Sequence, residues 1–243
     1  MINQREYKKL IEDTFRGEGI CSSCGNVKNR YNYGFPRWAP FSQAPIVLVF
    51  EMPGRGEPLN EKEWKKKEEL VRNIEKVTKI YYENMMLSWS GGRMFLDCIA
   101  EWLHGAEWVK NRTITEIFSH IGSEIYTTEV YKCHVDKKDK KCSKYLEKEL
   151  KEILNPELII AAGGSASRHV LKTFGKKHKK LGQIEELKNK HKTFVFMSVV
   201  HPSQQAWRRM GIKDYRQYLG ERLSDLSNQQ QEIRNRIRKR LSI

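Results

Sequence analysis

The chain has 243 residues, with 45 Lys and Arg against 30 Asp and Glu, which gives a formal net charge of +15. This length is enough for one α/β domain whose core needs no disulfides. The charged N-terminus is unlike a signal peptide and no apolar run has the length of a bilayer span, so we expect a cytoplasmic protein without a membrane partner. The charge favours a polyanion, DNA or RNA, as partner; the alternative is an ordinary enzyme with a basic surface. No feature calls for an obligate protein partner.

Apolar runs alternate with helical patterns along the chain. Four runs predict buried strands, at 46–50, 125–132, 158–162 and 194–200. Helical periodicity predicts helices around them, at 61–83, 90–105, 143–154 and 165–174. Strands that alternate with helices form a parallel sheet covered on both faces. The predicted fold is therefore an α/β three-layer sandwich with a central, mostly parallel four-stranded sheet.

A single domain is expected to cover residues 1–243. Three features are added to its predicted sandwich: a helical insert at about 57–86, a Lys-rich loop at 175–192 and a basic C-terminal helix at 212–243. The end of that helix carries five cations, which are Arg234, Arg236, Arg238, Lys239 and Arg240. Because cations that neutralise phosphates bind DNA of any sequence, we expect this tail to strengthen DNA binding in general.

The chain has five cysteines. An odd number in a reducing compartment predicts a metal site and a spare thiol rather than a set of disulfides. Cys21 and Cys24 form a Cys-x-x-Cys pair in a glycine-bearing turn. Cys98 lies in an apolar helical stretch beside Phe95 and Leu96, where we expect a buried thiol.

Three segments follow predicted strands, and the carboxyl ends of parallel strands are where such folds bind ligands. They read Phe50-Glu51-Met52-Pro53-Gly54, Glu129-Val130-Tyr131-Lys132-Cys133 and His201-Pro202-Ser203. In order and spacing, and together with the Cys-x-x-Cys pair, they resemble the motifs of the family 4 uracil-DNA glycosylases, the iron–sulfur branch of the uracil-DNA glycosylase superfamily. The resemblance covers most of residues 20–210.

The resemblance implies a monofunctional DNA glycosylase, which flips a base out of DNA and hydrolyses its N-glycosidic bond. It also implies a [4Fe–4S] cluster with four thiolate ligands, Cys21, Cys24, Cys133 and Cys142. Zinc is the competing metal, since a site of four cysteines suits it equally well.

The departing base takes up negative charge, and the resemblance assigns His201 as the donor to its O2 atom. Glu51 and Glu57 are candidates for orienting water or stabilising the sugar, although either carboxylate is also consistent with an ordinary surface residue. Met52 stands where the superfamily often has Asp or Asn; its side chain cannot activate water, and we expect it to contact the base instead.

Other residues are expected to bind the flipped nucleotide and its flanks. Trp89 is a candidate for stacking on the base, with core packing as the alternative. The backbone amides of Gly54 and Arg55 are placed to hold a phosphate. A further set begins at the last residue of the third motif, where the superfamily inserts a wedge into the duplex and contacts phosphates; it comprises Ser203, Gln204, Gln205, Trp207, Arg208 and Arg209.

Glu129 departs from the family, in which an Asn reads uracil. An ionised carboxylate has only acceptors, so it repels uracil O4 and accepts from the amino group on N4 of a cytosine. The alternative is that Glu129 points away, or pairs with Lys132. The connection between Gly54 and Ser90 is also longer than in the family; it either makes room for a bulky base or only covers the surface.

A relative that fits both departures is the phage-defence DNA glycosylase of the superfamily, which removes α-glucosylated hydroxymethylcytosine. A modified cytosine is therefore the expected target. The alternatives are a uracil-DNA glycosylase of base-excision repair, a non-catalytic module that binds modified DNA, and a zinc-containing RNA-binding protein.

Overall fold

The computed structural model describes residues 6, 8–10, 12–13, 18–23, 44–51, 82–83, 85–132, 142–190 and 192–241. Within these residues the chain forms one five-stranded sheet with the strand order β2-β1-β3-β5-β4. The strands are β1 (Ile46–Phe50), β2 (Ile125–Glu129), β3 (Leu158–Ala162), β4 (Ile184–Lys188) and β5 (Thr193–Val199). All neighbours are parallel except β4, which pairs antiparallel with β5.

Strands β1, β2 and β3, on the parallel side of the sheet, are covered on both faces. Every residue of β1, β2 and β3 is buried, as expected for parallel strands between two helical layers. The register pairs Ile46 with Ile125 and Phe50 with Glu129. The carboxyl ends of β1 and β2 therefore lie side by side.

Helices cover both faces of the sheet. They are α1 (Ser90–His104), α2 (Ala106–Lys110), α3 (Ile114–Ile121), α4 (Ser143–Lys148), α5 (Gly164–Thr173), α6 (Gln204–Arg209), α7 (Tyr215–Gln229) and α8 (Gln231–Leu241). Helices α1 and α7 pack together over one face, and α4 and α5 cover the other. This is the predicted three-layer α/β sandwich. No helix among the described residues is long and apolar enough to cross a membrane.

Two local predictions are wrong. Within the Lys-rich stretch 175–192, five residues are not loop but form strand β4, an edge strand whose exposed residues include Glu186 and Lys188. The predicted C-terminal helix is also interrupted, because Gln230 leaves helical geometry (φ −135°, ψ 64°) between α7 and α8. The predicted insert at 57–86 lies mostly outside the described residues.

Candidate functional site

The backbones of β1 and β2 remain hydrogen-bonded past their last residues. The N–H of Val130 donates to the Phe50 carbonyl at 2.9 Å, and the N–H of Tyr131 donates to the Glu51 carbonyl at 3.0 Å. These bonds hold the first residues beyond both strands, so the directions of the Glu51 and Glu129 side chains are set by the sheet.

An aromatic group lies at this carboxyl edge. The ring of Phe50 meets the ring of Trp89 at 5.4 Å and 75° and that of His201 at 6.1 Å and 82° between centroids and planes. The rings of Trp89 and His201 are 6.2 Å apart. Gly91, in the first turn of α1, permits this position of Trp89, since a Cβ there would lie 2.5 Å from the indole. The half-buried Trp89 thus lies at the candidate site, packed on its aromatic wall.

Glu129 faces the same side of the sheet as these rings. Successive side chains of a strand alternate between faces, and Tyr126 and Thr128 both donate to Glu149, on the α4 side. Glu129 therefore points to the opposite, α1 side, as does Phe50, its partner in the register. Only 2% of Glu129 is exposed, so it is a buried carboxyl group at the end of β2.

Lys132 has a different partner from the one considered above. Its ammonium lies 2.5 Å from Oε2 of Glu149 and also donates to the Thr128 hydroxyl, and both side chains of the ion pair are fully buried. This network is on the α4 side of β2. Lys132 is thus engaged on the face opposite to Glu129.

His201 follows β5 and is held in one tautomer. The backbone N–H of Ser203 donates to its Nδ1 at 3.1 Å. Burial lowers the pKa of His201 below its ordinary value, although the nearby charge of Glu51 acts in the opposite direction. At neutral pH the imidazole is therefore neutral, with its proton on Nε2, and it is a ready donor to an oxygen atom that gains negative charge.

The glycine after β3 adjoins this histidine. Gly163 has φ 96°, which favours glycine, and a Cβ at this position would lie 3.4 Å from the Cβ of His201. Its N–H donates to the Val199 carbonyl at 2.8 Å. The ends of β3 and β5 are thus joined directly beneath His201.

Helix α6 begins at Gln204, directly after the His-Pro-Ser segment. Its exposed side chains are those of Gln204, Gln205, Arg208 and Arg209, whereas Ser203 is half-buried. Trp207 is half-buried and packs its ring against Tyr215 at 6.0 Å. Trp207 therefore belongs to the packing of α6 against α7, and the two glutamines remain as wedge candidates.

Two of the predicted thiolate ligands are described and both lie near the start of α4. The hydroxyl of Tyr145 donates to the sulfur of Cys21 at 3.3 Å and accepts from its N–H at 3.2 Å. The sulfur of Cys142, three residues before Tyr145, accepts from the N–H of Lys132 at 3.2 Å. Segments distant in the sequence thus bring these cysteines to the same part of the fold, where thiolates suit an iron–sulfur cluster or zinc.

Six predicted site residues lie outside the described residues: Cys24, Met52, Gly54, Arg55, Glu57 and Cys133. Their proposed roles stay predictions. Cys98 is described, and it is 3% exposed with its thiol donating to the Arg216 carbonyl. Burial raises the pKa of Cys98 to about 12, which confirms the expectation of a buried, protonated thiol.

The basic tail lies at the other edge of the sheet. Glu157, which precedes β3, forms ion pairs with Lys192, Arg236 and Arg240. Arg240 also donates to the Asn155 carbonyl at 2.6 Å. These cations stabilise α8 against the amino ends of the strands, far from His201, which argues against the tail as the DNA-binding surface.

A groove of about 1130 Å³ lies between α1, α2 and α7, with Cys98, Trp102, Arg216 and Arg234 among its lining residues. It includes none of the strand-end residues described above. The side chains that could take part in catalysis therefore lie at the carboxyl edge of the sheet rather than in this groove.

Sequence reasoning missed the role of Phe50, which it treated as the last apolar residue of a buried strand. The available signal was its position directly before Glu51, at a strand end where one face must line the site. Its contact with both Trp89 and His201 makes it the centre of the aromatic group.

Comparison with known proteins agrees with this arrangement. The family model of the uracil DNA glycosylase superfamily matches residues 36–227, a segment that contains all five strands and begins after Cys21 and Cys24. A comparison with curated proteins gave no match. Members of the superfamily are DNA glycosylases, which are hydrolases that act on DNA. Since the match covers most of the chain, this protein belongs to the uracil DNA glycosylase superfamily.

Proposed function

We propose that this protein is a monofunctional DNA glycosylase that removes a modified cytosine. The observation that carries the proposal is the placement of Glu129, a buried carboxyl group in register with Phe50 and on the same face of the sheet. The neutral imidazole of His201 lies at the same edge, 6.1 Å from Phe50 between ring centroids. Glu129, which would recognise the base, and His201, which would donate a hydrogen bond to it, thus lie on the same edge of the sheet as the Phe50 ring.

Glu129 determines which base is accepted. In its ionised form it accepts from the N4 amino group of a cytosine, whereas uracil presents its O4 acceptor at that position. Two acceptors that face each other in a buried site cost about 1–3 kcal/mol, equivalent to about five- to 150-fold in discrimination. A glycosylase that removed unmodified cytosine would damage its host's genome, so a modified cytosine is the better target.

His201 and Glu51 act on the bond that breaks. The N-glycosidic bond is cleaved as water adds to C1′ of the sugar, and the electron pair of the bond stays on the base. The Nε2–H of His201 donates to O2 of the departing base, where the negative charge develops. Glu51 orients the water and stabilises the positive charge of the sugar, and the proton of the water passes to solvent.

Trp89 and α6 place the nucleotide. The indole stacks on the extruded base, because an aromatic face at the site stabilises a base that has lost its neighbours in the duplex. Gln204 and Gln205 enter the gap left in the duplex, and Arg208 and Arg209 bind the flanking phosphates.

We assign four cysteines, Cys21, Cys24, Cys133 and Cys142, to a [4Fe–4S] cluster. The convergence of Cys21 and Cys142 at the start of α4 supports this set, and zinc is the alternative metal. When bound, the cluster supplies a structural crosslink between the N-terminal segment and the segment that follows Glu129. Iron and zinc analysis of protein purified without oxygen decides between them; stoichiometric zinc without iron would exclude the cluster.

Among modified cytosines, the α-glucosylated hydroxymethylcytosine of phage DNA fits the resemblance to phage-defence glycosylases, which makes antiviral defence the proposed role. Excision of uracil in DNA repair is the second candidate, and it is favoured by the superfamily match alone.

The test uses duplexes that carry one uracil, cytosine, hydroxymethylcytosine or glucosylated hydroxymethylcytosine. Released bases are identified by mass spectrometry, and abasic sites are measured by alkaline strand cleavage. We expect release of a modified cytosine and at most weak release of uracil. Glu129→Asn should shift the preference towards uracil, and His201→Ala should abolish release while DNA binding persists.

Efficient release of uracil by the native protein, unchanged in Glu129→Ala, would refute the role of Glu129 and favour the repair enzyme. Tight binding of modified DNA without release of any base would instead identify a binding module.

A further inference from the structure

Val200 lies between the end of β5 and His201, where the sheet no longer supplies its hydrogen-bond partners. Its carbonyl accepts from the hydroxyl of Tyr215 at 2.6 Å, and its N–H donates to the hydroxyl of Tyr218 at 3.1 Å. Val200 is 3% exposed. The backbone N–H and carbonyl of this buried residue thus bond to two side chains from the first turn of α7 instead of to a neighbouring strand.

The ring of Tyr215 is itself held on several sides. It is 1% exposed and packs against Phe95 of α1 at 6.3 Å and against Trp207 of α6 at 6.0 Å. Burial raises the pKa of Tyr215 well above its ordinary value, so its hydroxyl remains a donor at any physiological pH. The anchor of Val200 is therefore a fixed group and not a mobile surface side chain.

Helix α7 consequently fixes the backbone position of His201, the residue after Val200. His201 has to present Nε2–H to O2 of the base, and a misplacement of about 1 Å in such a contact can lower a rate about a hundredfold. The same Tyr215 ring packs on α6, whose exposed face carries the DNA-contacting candidates. One side chain therefore sets both the donor and the DNA-binding helix relative to the core.

We propose that Tyr215 and Tyr218 are positioning residues that orient His201 through the backbone of Val200. They act without touching the substrate. The proposal rests on the glycosylase activity proposed above, but not on the identity of the base.

The variant Tyr215→Phe removes one hydroxyl and leaves the ring. Its matched control is Tyr82→Phe, because Tyr82 is 2% exposed and its hydroxyl donates to the carbonyls of Gly122 and Ile125 at 2.6 and 2.5 Å. That contact lies at the amino end of β2, away from the site. The loss of stability is measured for both variants by urea unfolding, and the catalytic step by single-turnover base release.

We expect Tyr215→Phe to lower the single-turnover rate constant about 10- to 100-fold with little change in the Kd for DNA. Tyr82→Phe, at a comparable loss of stability, should stay within about twofold of the native rate. Tyr218→Phe leaves the N–H of Val200 without its acceptor and should likewise lower the rate. Equal rates in Tyr215→Phe and Tyr82→Phe would overturn the proposal.

A second readout does not depend on activity. In ¹⁵N spectra of the imidazole, Tyr215→Phe and Tyr218→Phe should each shift the resonances and titration midpoint of His201, whereas Tyr82→Phe should not. If His201 is unchanged in both α7 variants, the proposal is wrong, whatever bases the protein releases. If the native protein releases no base but His201 shifts as expected, the proposed function fails and the positioning role stands.

Discussion

The buried ion pair between Lys132 and Glu149 allows a quantitative test of how the end of β2 is held. The perturbation is Glu149→Gln, which keeps the shape of the side chain and removes its charge. The carboxylate of Glu149 accepts from the hydroxyl of Tyr126 at 2.5 Å and from that of Thr128 at 3.0 Å, besides its ion pair with Lys132 at 2.5 Å. These contacts connect β2 and the residues directly after it to the π-helical turn Glu149–Ile153.

The expected loss follows from the burial of the pair. Both side chains have an exposed fraction of 0%, so neither charge can recover its hydration without local unfolding. Removing one partner of a buried pair destabilises a protein by about 3–5 kcal/mol, since the other charge is left uncompensated. Replacing both partners by uncharged side chains of similar volume is often close to neutral.

The assay is urea unfolding of Glu149→Gln, Lys132→Met and the double variant. Each single change should lower the free energy of unfolding by about 3–5 kcal/mol, and the double variant should recover much of that loss. A control is Lys151→Gln, which removes an exposed ion pair with Glu147 on the same turn and should change stability by less than about 1 kcal/mol. Single variants that lose less than about 1 kcal/mol, or a double variant whose loss is the sum of both, would refute the reasoning.

Three further predictions concern the site and the tail. Folding lowers the pKa of His201. The contribution of this histidine to the free energy of unfolding is therefore fully present above about pH 6.5 and decreases as the pH falls towards the lowered pKa. The free energy of unfolding of His201→Gln, measured in urea, should depend less on pH than that of the native protein. Arg208→Gln should weaken DNA binding and reduce the salt slope by about 1, measured by fluorescence anisotropy, whereas removing residues 234–243 should mainly lower the thermal stability. Gly91→Ala should raise KM, because its Cβ would displace the adjacent indole.

Each of these has a control or a result that contradicts it. An identical pH dependence in native protein and His201→Gln would show that the histidine is not buried as described. Lys239→Gln, on the exposed part of the tail, should leave the salt slope unchanged, and an equal effect there would move the DNA-binding surface to α8. Gly220→Ala meets no atom within 4 Å and serves as the neutral glycine replacement; a KM equal to its value in Gly91→Ala would contradict the role of the indole.

The inner part of the sheet could be predicted from sequence because its strands are apolar on both faces. The run 46–50 and the run 158–162 coincide with β1 and β3. Strand β4 could not be found in this way, because an edge strand keeps one side in water and here contains charged residues. The same composition is typical of a loop, and only pairing with β5 distinguishes the two.

At the site, the strand-end motifs correctly located His201 and Glu129 at one edge, because the carboxyl ends of parallel strands always meet. What they could not give is the partner of each side chain. Lys132 is three residues from Glu129 in sequence, yet its ion pair is with Glu149 on the other face. Trp207 was expected to face DNA, but the path of α7 places Tyr215 against it. Such pairings depend on how distant helices pack.

Among the described residues, cations lie at both edges of the sheet, and their partners indicate which of them remain available to DNA. At the amino edge, the cations that approach Glu157 are neutralised by it or bonded to carbonyls. At the carboxyl edge, Arg208 and Arg209 are exposed on α6, directly after the His-Pro-Ser segment. The lysine-rich stretch after α5 also returns to this edge, since the Lys180 carbonyl accepts from Ser198, one residue before the end of β5. Among the described residues, Arg208, Arg209 and this lysine-rich stretch therefore offer cations to phosphates beside His201, at the proposed site.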